Sequence, residues 1–345
     1  ITAPDTVTIK EDDSHSFGSA LAISDIDISG SSNSVGNNFI EVTVKITDGS
    51  GTLKLGSIAG LTGSDLDAAG VTLTFSGTLE DVNAALASLV FTPTADWNGT
   101  ARVEITAKDD GSATSGNANP DHALPATKTI GITVTAINDA PVVKGEDAGQ
   151  VEVTLNPIEE DTPSPQGTAS TVESLFKDVF IDTRDTVAGG SAANSLAGVV
   201  IVTNGAYGSA AGDWQYYDTA KGWVTIGQCS EVNALFLAAG VKIRFNPAKD
   251  FNGDAPTLSV RLVDSSAFDA ANNPNNPALK ASGQFYNLEG KNADETDKIG
   301  GTTRFSAATV VLRHTVTPVN DSPDAKDAVN GAATVEMDYV VYGVS

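Results

Sequence analysis

The sequence contains one cysteine, Cys229, so it has no intrachain disulfide and no cysteine-based zinc site. Its three histidines, His15, His122 and His314, lie far apart with no ligand spacing, which argues against zinc held by imidazoles. No apolar run reaches 18 residues, so no helical membrane span or membrane insertion is expected, and no signal-peptide pattern stands at Ile1. Basic residues are few: 20 Lys and Arg against 44 Asp and Glu, a net charge of −24. Such a surface repels phosphate backbones, which excludes nucleic acid as a partner, and it is repelled by anionic lipid while attracting cations. No Gly-x-Ser-x-Gly, P-loop or dinucleotide fingerprint occurs, and no enzyme is expected. A glycosidase built on two carboxylates is the enzymatic alternative, although nothing pairs a buried acid with a nucleophile. Without disulfides, an extracellular chain must draw rigidity from elsewhere, for example from bound metal.

What is present favours strands and turns. Gly, Thr, Ser, Asn, Asp, Ala and Val dominate, and the 40% hydrophobic content is that of a folded protein. The 345 residues suffice for about two domains and a remainder. Two seams organise them, Thr135-Ala136-Ile137-Asn138-Asp139-Ala140-Pro141 and Thr317-Pro318-Val319-Asn320-Asp321-Ser322-Pro323. Each ends an alternating strand with Asn, Asp, a small residue and a proline, which stops the ladder because it has no N–H to donate.

Residues 1–141 and 142–323 read as two all-β sandwiches in tandem, each with short alternating strands such as Ile40, Val42, Val44, Ile46 or Val71, Leu73, Phe75. Val82, Leu86 and Leu89 share one face of a helical piece of about two turns. The units repeat: Ile158-Glu159-Glu160-Asp161 matches Ile9-Lys10-Glu11-Asp12, and Phe245-x-Pro247-x-x-Asp250-Phe251-Asn252-Gly253 matches Phe91-x-Pro93-x-x-Asp96-Trp97-Asn98-Gly99. Trp97 and Phe251 are therefore expected in the cores. Trp214 and Trp223 are expected to pack together across a hairpin, with stacking on a sugar as the alternative. From Asp109 to Asn138 is 29 residues, and from Asp264 to Asn320 is 56, so the second unit carries about 27 extra residues at roughly 265–305. This insertion, with Phe268, Phe285, Tyr286 and Phe305, is either decoration or a ligand-binding module for a glycan or protein. Residues 324–345 read as the start of a third unit or a tail, so the chain is expected to be a piece of something longer.

The acidic residues recur at matched places. Glu11 and Glu159, Glu160 follow first strands; Asp25, Asp27 and Asp182, Asp185 come next; Asp109 and Asp264 end penultimate strands; Asn138, Asp139 and Asn320, Asp321 mark the seams. Calcium takes six to eight oxygen ligands from carboxylates, amides and carbonyls. One loop rarely supplies that many, but loops of two adjoining units can.

The order Glu11, Asp25-x-Asp27, Ala107-Lys108-Asp109-Asp110-Gly111 and Asn138-Asp139-Ala140-Pro141 resembles a cadherin repeat. Together with the Phe-x-Pro-x-x-Asp-Trp/Phe-Asn-Gly stretch it resembles, over about 1–323, the cadherin-like tandem repeats of very large RTX-type bacterial surface adhesins. The resemblance implies Ig-like or cadherin-like sandwiches held by Ca²⁺ in a rigid extender of a secreted cell-surface adhesin, exported by type I secretion and serving adhesion and biofilm. Its partners would be calcium, neighbouring repeats, and a host or surface glycan or protein. Glu11, Asn138 and Asp139 would supply the lower half of the calcium cluster between the units, and Asp182, Asp185 and Asp264 the upper half. Asp25, Asp27 and Asp109 would face a preceding unit; Glu159, Glu160, Asn320 and Asp321 would face a third. Two departures stand out. Asp182 and Asp185 are three apart instead of two, and the Asp-Arg-Glu motif of true cadherins is absent, with Glu80-Asp81 as the candidate substitute.

Overall fold

In the computed structural model, residues 1–24, 40–63, 66, 68–109, 125–162, 169–292, 294 and 296–320 are described. The first core is built by period-2 strands. Ile40, Val42 and Val44 of β3 (Ile40–Asp48) point inward while Glu41 and Lys45 face water, and β3 pairs antiparallel with β6 (Thr72–Gly77) and β8 (Gly99–Asp109). Val71 lies just before β6 and is exposed, so the buried alternation there starts at Leu73. The sheet continues through β9 (Ala126–Thr135) to β1 (Thr6–Lys10), which runs parallel to β9 with Ile9 opposite Val134. A smaller sheet of β2 (His15–Ser16), β7 (Val90–Pro93) and β4 (Gly51–Lys54) closes the sandwich, with Leu53 and Phe91 fully buried against Val42, Phe75 and Val103.

Helix α1 (Leu79–Ala87) buries Val82 and Leu86, with Leu89 just past its end. The Glu80-Asp81 pair opens this helix. Thr78 Oγ1 accepts from the Asp81 amide at 3.2 Å and donates to Asp81 Oδ2 at 2.7 Å, so Asp81 serves as a cap partner.

The second core, drawn from Val143 to Val316, repeats the plan. The short strands β11 (Val151–Thr154) and β12 (Ile158–Glu159) run parallel to β23 (Val310–Arg313) and β24 (Thr315–Thr317). The large sheet runs β11, β23, β21 (Leu258–Asp264), β15 (Leu196–Asn204), β18 (Ala234–Ala238), β22 (Phe285–Tyr286). Facing it is a sheet that includes β19 (Lys242–Pro247), β16 (Gly212–Asp218) and β17 (Gly222–Thr225). Trp214 is fully buried between them, opposite Phe245 with ring centroids 5.3 Å apart, and its indole N–H donates to Pro256 O at 2.6 Å.

Trp223 does not pair with Trp214. It sits across the hairpin from Tyr217 on the outer face, at 5.4 Å, with the Arg244 guanidinium 4.0 Å from its ring centre. Side chains alternate along β16, so Trp214 and Tyr217 cannot share a face. Trp97 and Phe251 also depart from expectation: both are only partly buried, packed on the rims of cores whose centres hold Phe91 and Phe245. Burial of the lone Cys229 pushes its thiol up to about 11, so it is not a reactive nucleophile.

The second unit differs in one further layer. Val199, Val200, Ile201 and Val202 are all buried in succession, a run that requires both faces of the sheet to be covered. Val199 and Ile201 face the sandwich core. Val200 and Val202, with Phe236 and Val263, face the insertion, which covers them with Tyr286, Leu288 and Phe305. Phe268 and Phe285 point to solvent. The insertion is thus a packed cover over the outer face of the sheet.

Candidate metal centre

The junction between the units is assembled from backbone ends. Parallel pairing of β1 with β9 extends one step, from the Glu11 amide to Thr135 O at 3.0 Å, and carries Glu11 beneath the linker. Its Oε1 accepts from the Ile137 amide and its Oε2 from Asn98 Nδ2 at 2.9 Å. Asp96 takes the left-handed conformation, φ 56°, and its amide donates to Asp12 Oδ1 at 2.9 Å; Asp tolerates this region better than most residues. The far end of the second unit repeats each contact. Glu160 Oε1 accepts from the Val319 amide at 2.7 Å and Oε2 from Asn252 Nδ2 at 2.9 Å, while the Asp250 amide donates to Asp161 Oδ1 at 3.1 Å. Both Asp250 and Asp161 are also left-handed, with φ at 57° and 55°.

The second unit supplies the other side. Asp185 Oδ1 accepts from the Asp139 amide at 3.0 Å and Oδ2 from Asn194 Nδ2 at 2.7 Å. Asn194 Nδ2 also reaches Asn138 Oδ1 at 3.0 Å, and the Asn194 amide donates to Asp182 Oδ2 at 2.6 Å. Asn138 Nδ2 donates to Asp264 Oδ2 at 3.2 Å and to Thr303 O at 3.0 Å. Glu11, Asp139, Asp182, Asp185 and Asp264 are all buried.

Burial raises every one of these acids, and repulsion from neighbouring carboxylates adds to it for all but Asp264. Asp139 is pushed up to about 7, chiefly by burial and then by Asp96, Asp185 and Glu11. Asp182 is also pushed up to about 7, by burial and then by Asp185. Asp185, Glu11 and Asp264 shift upward too, with burial the largest cause. Asp264 has a partial counter-charge in the fully buried Arg304, which donates to Asn276 Oδ1 at 3.1 Å and Ser266 O at 2.7 Å.

The donor set is entirely hard oxygen, which suits calcium and not a soft metal. Asp182 Oδ1 is buried and accepts from no donor, and the Asp182 carboxyl lies within hydrogen-bonding reach of Asp185, so in the metal-free junction the two acids can share a proton. The acids are neighbours that share donors, not a formed cage, and among the described residues no three His, Cys, Asp or Glu side chains converge closely enough for one ion.

The structure therefore brings Glu11, Asn138, Asp139, Asp182, Asp185 and Asp264 to one junction, despite the three-residue spacing of Asp182 and Asp185. Glu160 lies buried at the far end of the second unit. Glu159 is exposed: it occupies the place of Lys10, whose Nζ donates across the junction to Asn272 O at 2.6 Å. Asn320 is exposed. Asp25, Asp27 and Asp321 lie outside the described residues, as does the side chain of Asp109, the last residue of β8. The 324–345 segment is likewise outside them.

Sequence reading missed Asn98, Asp96, Ser191 and Asn194. The first two had a visible signal in the recurrent Asp-x-Asn-Gly, which supplies the amide that holds Glu11 or Glu160. Ser191 and Asn194 had a signal too, since Gly190-Ser191-Ala192-Ala193-Asn194-Ser195-Leu196 echoes Gly30-Ser31-Ser32-Asn33-Ser34-Val35, a stretch outside the described residues.

Direct contacts cross the junction as well. Asn98 Nδ2 donates to Ser191 Oγ and the Ser191 amide returns to Asn98 Oδ1, both at 2.8 Å. The Ala140 amide donates to Gly301 O of the insertion at 2.6 Å. Gly190 packs so closely that a Cβ on it would lie 2.3 Å from Asn98 Oδ1 and 2.8 Å from Asn98 O. Gly190→Val should therefore force the units apart while leaving both cores intact. Small-angle scattering should show a broader range of orientations with an unchanged melting temperature; an unaltered profile would mean that this contact is not used in solution.

No protein-family model matches the chain, and no curated protein does. Among solved structures the chain is similar to a protocadherin gammaB7 EC3-6 cis-dimer, at 12% identity and TM-score 0.28, over 82% of this chain and 51% of that one. It is also similar to zebrafish RET cadherin-like domains 1 to 4, at 10% identity and TM-score 0.21, over 80% and 41%. A third is the T6 backbone pilin of serotype M6 Streptococcus pyogenes, at 8% identity and TM-score 0.18, over 84% and 63%. The chain spans about half the length of the first structure and two fifths of the second. At these scores the sheets and cores themselves define the class, an all-β protein of tandem sandwiches. Among the described residues no helix is long and apolar enough to cross a membrane.

Proposed function

We propose that the chain is a calcium-stiffened spacer, the extender region of a large secreted cell-surface adhesin of the RTX type, acting outside the cell to present a binding module. The observation that carries this reading is the buried acidic junction, where Glu11, Asp139, Asp182 and Asp185 are all buried and Asp139 and Asp182 are pushed to about 7. Calcium would draw on carboxylates among Glu11, Asp139, Asp182 and Asp185, with Asn138 as a neutral oxygen donor, once these side chains close around it from their present, more widely spaced positions; bound, it supplies the positive charge that these acids lack. Asp264, already beside Arg304, would contribute less. The repeated half-site of Glu160, Asn252, Asp161 and Asp250 supports a string of such junctions, each joining a unit to its neighbour.

Isothermal calorimetry on the full chain tests this. The wild type should bind calcium, and Asp185→Ala, which removes the carboxylate shared by Asp139 and Asn194, should lose the tightest site while both units stay folded, because ligand charge sets calcium affinity. Absence of calcium binding at millimolar concentration would reject the reading.

A further inference from the structure

The insertion covers the outer sheet face and also encloses a cavity of about 450 Å³, within the size range of small-ligand sites. Every lining residue belongs to the insertion, from Pro274 to Phe305, and none of the junction acids is among them. Its floor is apolar, with Tyr286, Leu288 and Phe305 continuing into the layer packed on the sheet. Two lysines stand on its rim. Lys280 Nζ lies 4.6 Å from the centre of the Tyr286 ring and donates to Phe285 O, and Lys298 is half-buried. Neither forms an ion pair with a described residue, in a chain where acids outnumber bases by more than two to one.

The polar groups of the lining are also oriented. Asn275 Nδ2 is engaged by Asp294 and Thr296, and Asn292 Nδ2 by Thr296 and Asp297. This leaves their amide oxygens as acceptors without a donor among the described residues. An apolar floor, two ammonium groups with no carboxylate partner among the described residues, and two amide oxygens with no donor among them, suit a ligand with a carboxylate, several hydroxyl donors and a ring face.

We propose that this cavity binds an acidic monosaccharide, a uronic or nonulosonic acid at the end of a glycan, with its carboxylate at Lys280 and Lys298 and its hydroxyls at Asn275 and Asn292. A purely apolar ligand would strand the lysines, and a neutral sugar would leave them unused.

Ligand-observed NMR and calorimetry on the full chain, with free N-acetylneuraminic acid, glucuronic acid and glucose as probes, test the proposal. At least one acid should bind, with glucose weaker by roughly tenfold, and Lys298→Gln should weaken the acid by roughly tenfold with no change in melting temperature, since a charge-assisted hydrogen bond is lost. Lys280→Gln is the second variant and should act in the same direction. Binding of glucose as tight as the acids, acid binding equal in wild type and both variants, equal competition by plain acetate, or no binding by either acid overturns it. Because none of the junction acids lines the cavity, the titrations are repeated in calcium and in chelator. Binding in both conditions separates this site from the spacer reading, and failure here leaves the calcium titration unaffected.

Discussion

In a chelator, the protein should be more stable at pH 5 than at pH 8, and calcium should reverse or abolish that difference. The sign follows from Asp139 and Asp182, whose carboxyls stand at about 7 in the folded chain against an ordinary 3.8. Between those values the folded state holds more protons than the unfolded state, so stability falls as pH rises. The advantage of the protonated cluster is complete below about pH 4 and is lost as pH passes through about 7. Across that window each extra bound proton is worth about 1.4 kcal/mol per pH step of one. The two acids repel each other and residual solvent screens them, so together they contribute about 2–4 kcal/mol. Asp185, Glu11 and Asp264 shift in the same direction and add to the trend. Calcium bound only to the folded state contributes about 2.7 kcal/mol at a hundredfold excess over its dissociation constant. The gap in melting temperature between calcium and chelator should therefore widen from pH 5 to pH 8. Asp182→Asn should flatten the profile in chelator, because a neutral amide carries no charge to bury. A pH-independent melt in chelator would mean that the acids are solvated in the metal-free protein.

Phe236→Ala should open the insertion before it melts the sandwich. Phe236 is fully buried on the outer face of the large sheet, edge-on to Tyr286 at 6.1 Å, in an apolar layer separate from the sandwich core. A large-to-small change at such a site costs about 3–5 kcal/mol. That loss falls on the packing between sheet and insertion, whereas Trp214, Phe245 and Leu262 on the opposite face keep their neighbours. Limited proteolysis should cut within 265–305 at protease levels that spare the wild type, while the buried Trp214 keeps its blue-shifted fluorescence. Cleavage spread evenly over the second unit would show that the insertion and the sandwich open as one.

The same insertion reaches the junction through Gly301 and Thr303, which hold Ala140 and Asn138, and through Asn272, which takes Lys10. The two units are therefore joined by direct hydrogen bonds as well as by the acidic cluster. If calcium bridges the junction as proposed, Asp139→Ala should loosen it less than a chelator does in small-angle scattering, because Glu11, Asp182 and Asp185 still offer ligands, and the direct contacts limit the opening in both cases.

Much was legible in the residues alone, because it depends on period and recurrence. Alternation in Ile40-x-Val42-x-Val44 can bury only one face of a strand. Two copies of Phe-x-Pro-x-x-Asp-x-Asn-Gly mark two copies of one plan. Acids recurring at Glu11 and Glu160 are placed by strands with equivalent parallel partners, so the Glu11 amide meets Thr135 O at 3.0 Å and the Glu160 amide meets Thr317 O at 2.9 Å. Val199 and Ile201 alternate as on a strand with one buried face, yet Val200 and Val202 are buried too, because the second face of the sheet is also covered.

What covers that face was decided by the tertiary structure, since the insertion finds its place through long-range packing of Tyr286 and Phe305 on Phe236 and Val263. The faces of Trp214 and Trp223 were decided by the register of β16 on β17, which sequence spacing leaves open. Asn194, Ser191 and Arg304 entered the junction in the same way, because hydrogen bonds between distant segments depend on where chain ends meet and not on local pattern. Residue type and spacing determined which acids can gather; the meeting of two unit ends determined that they are buried, and burial is what turns ordinary aspartates into groups that titrate near neutrality.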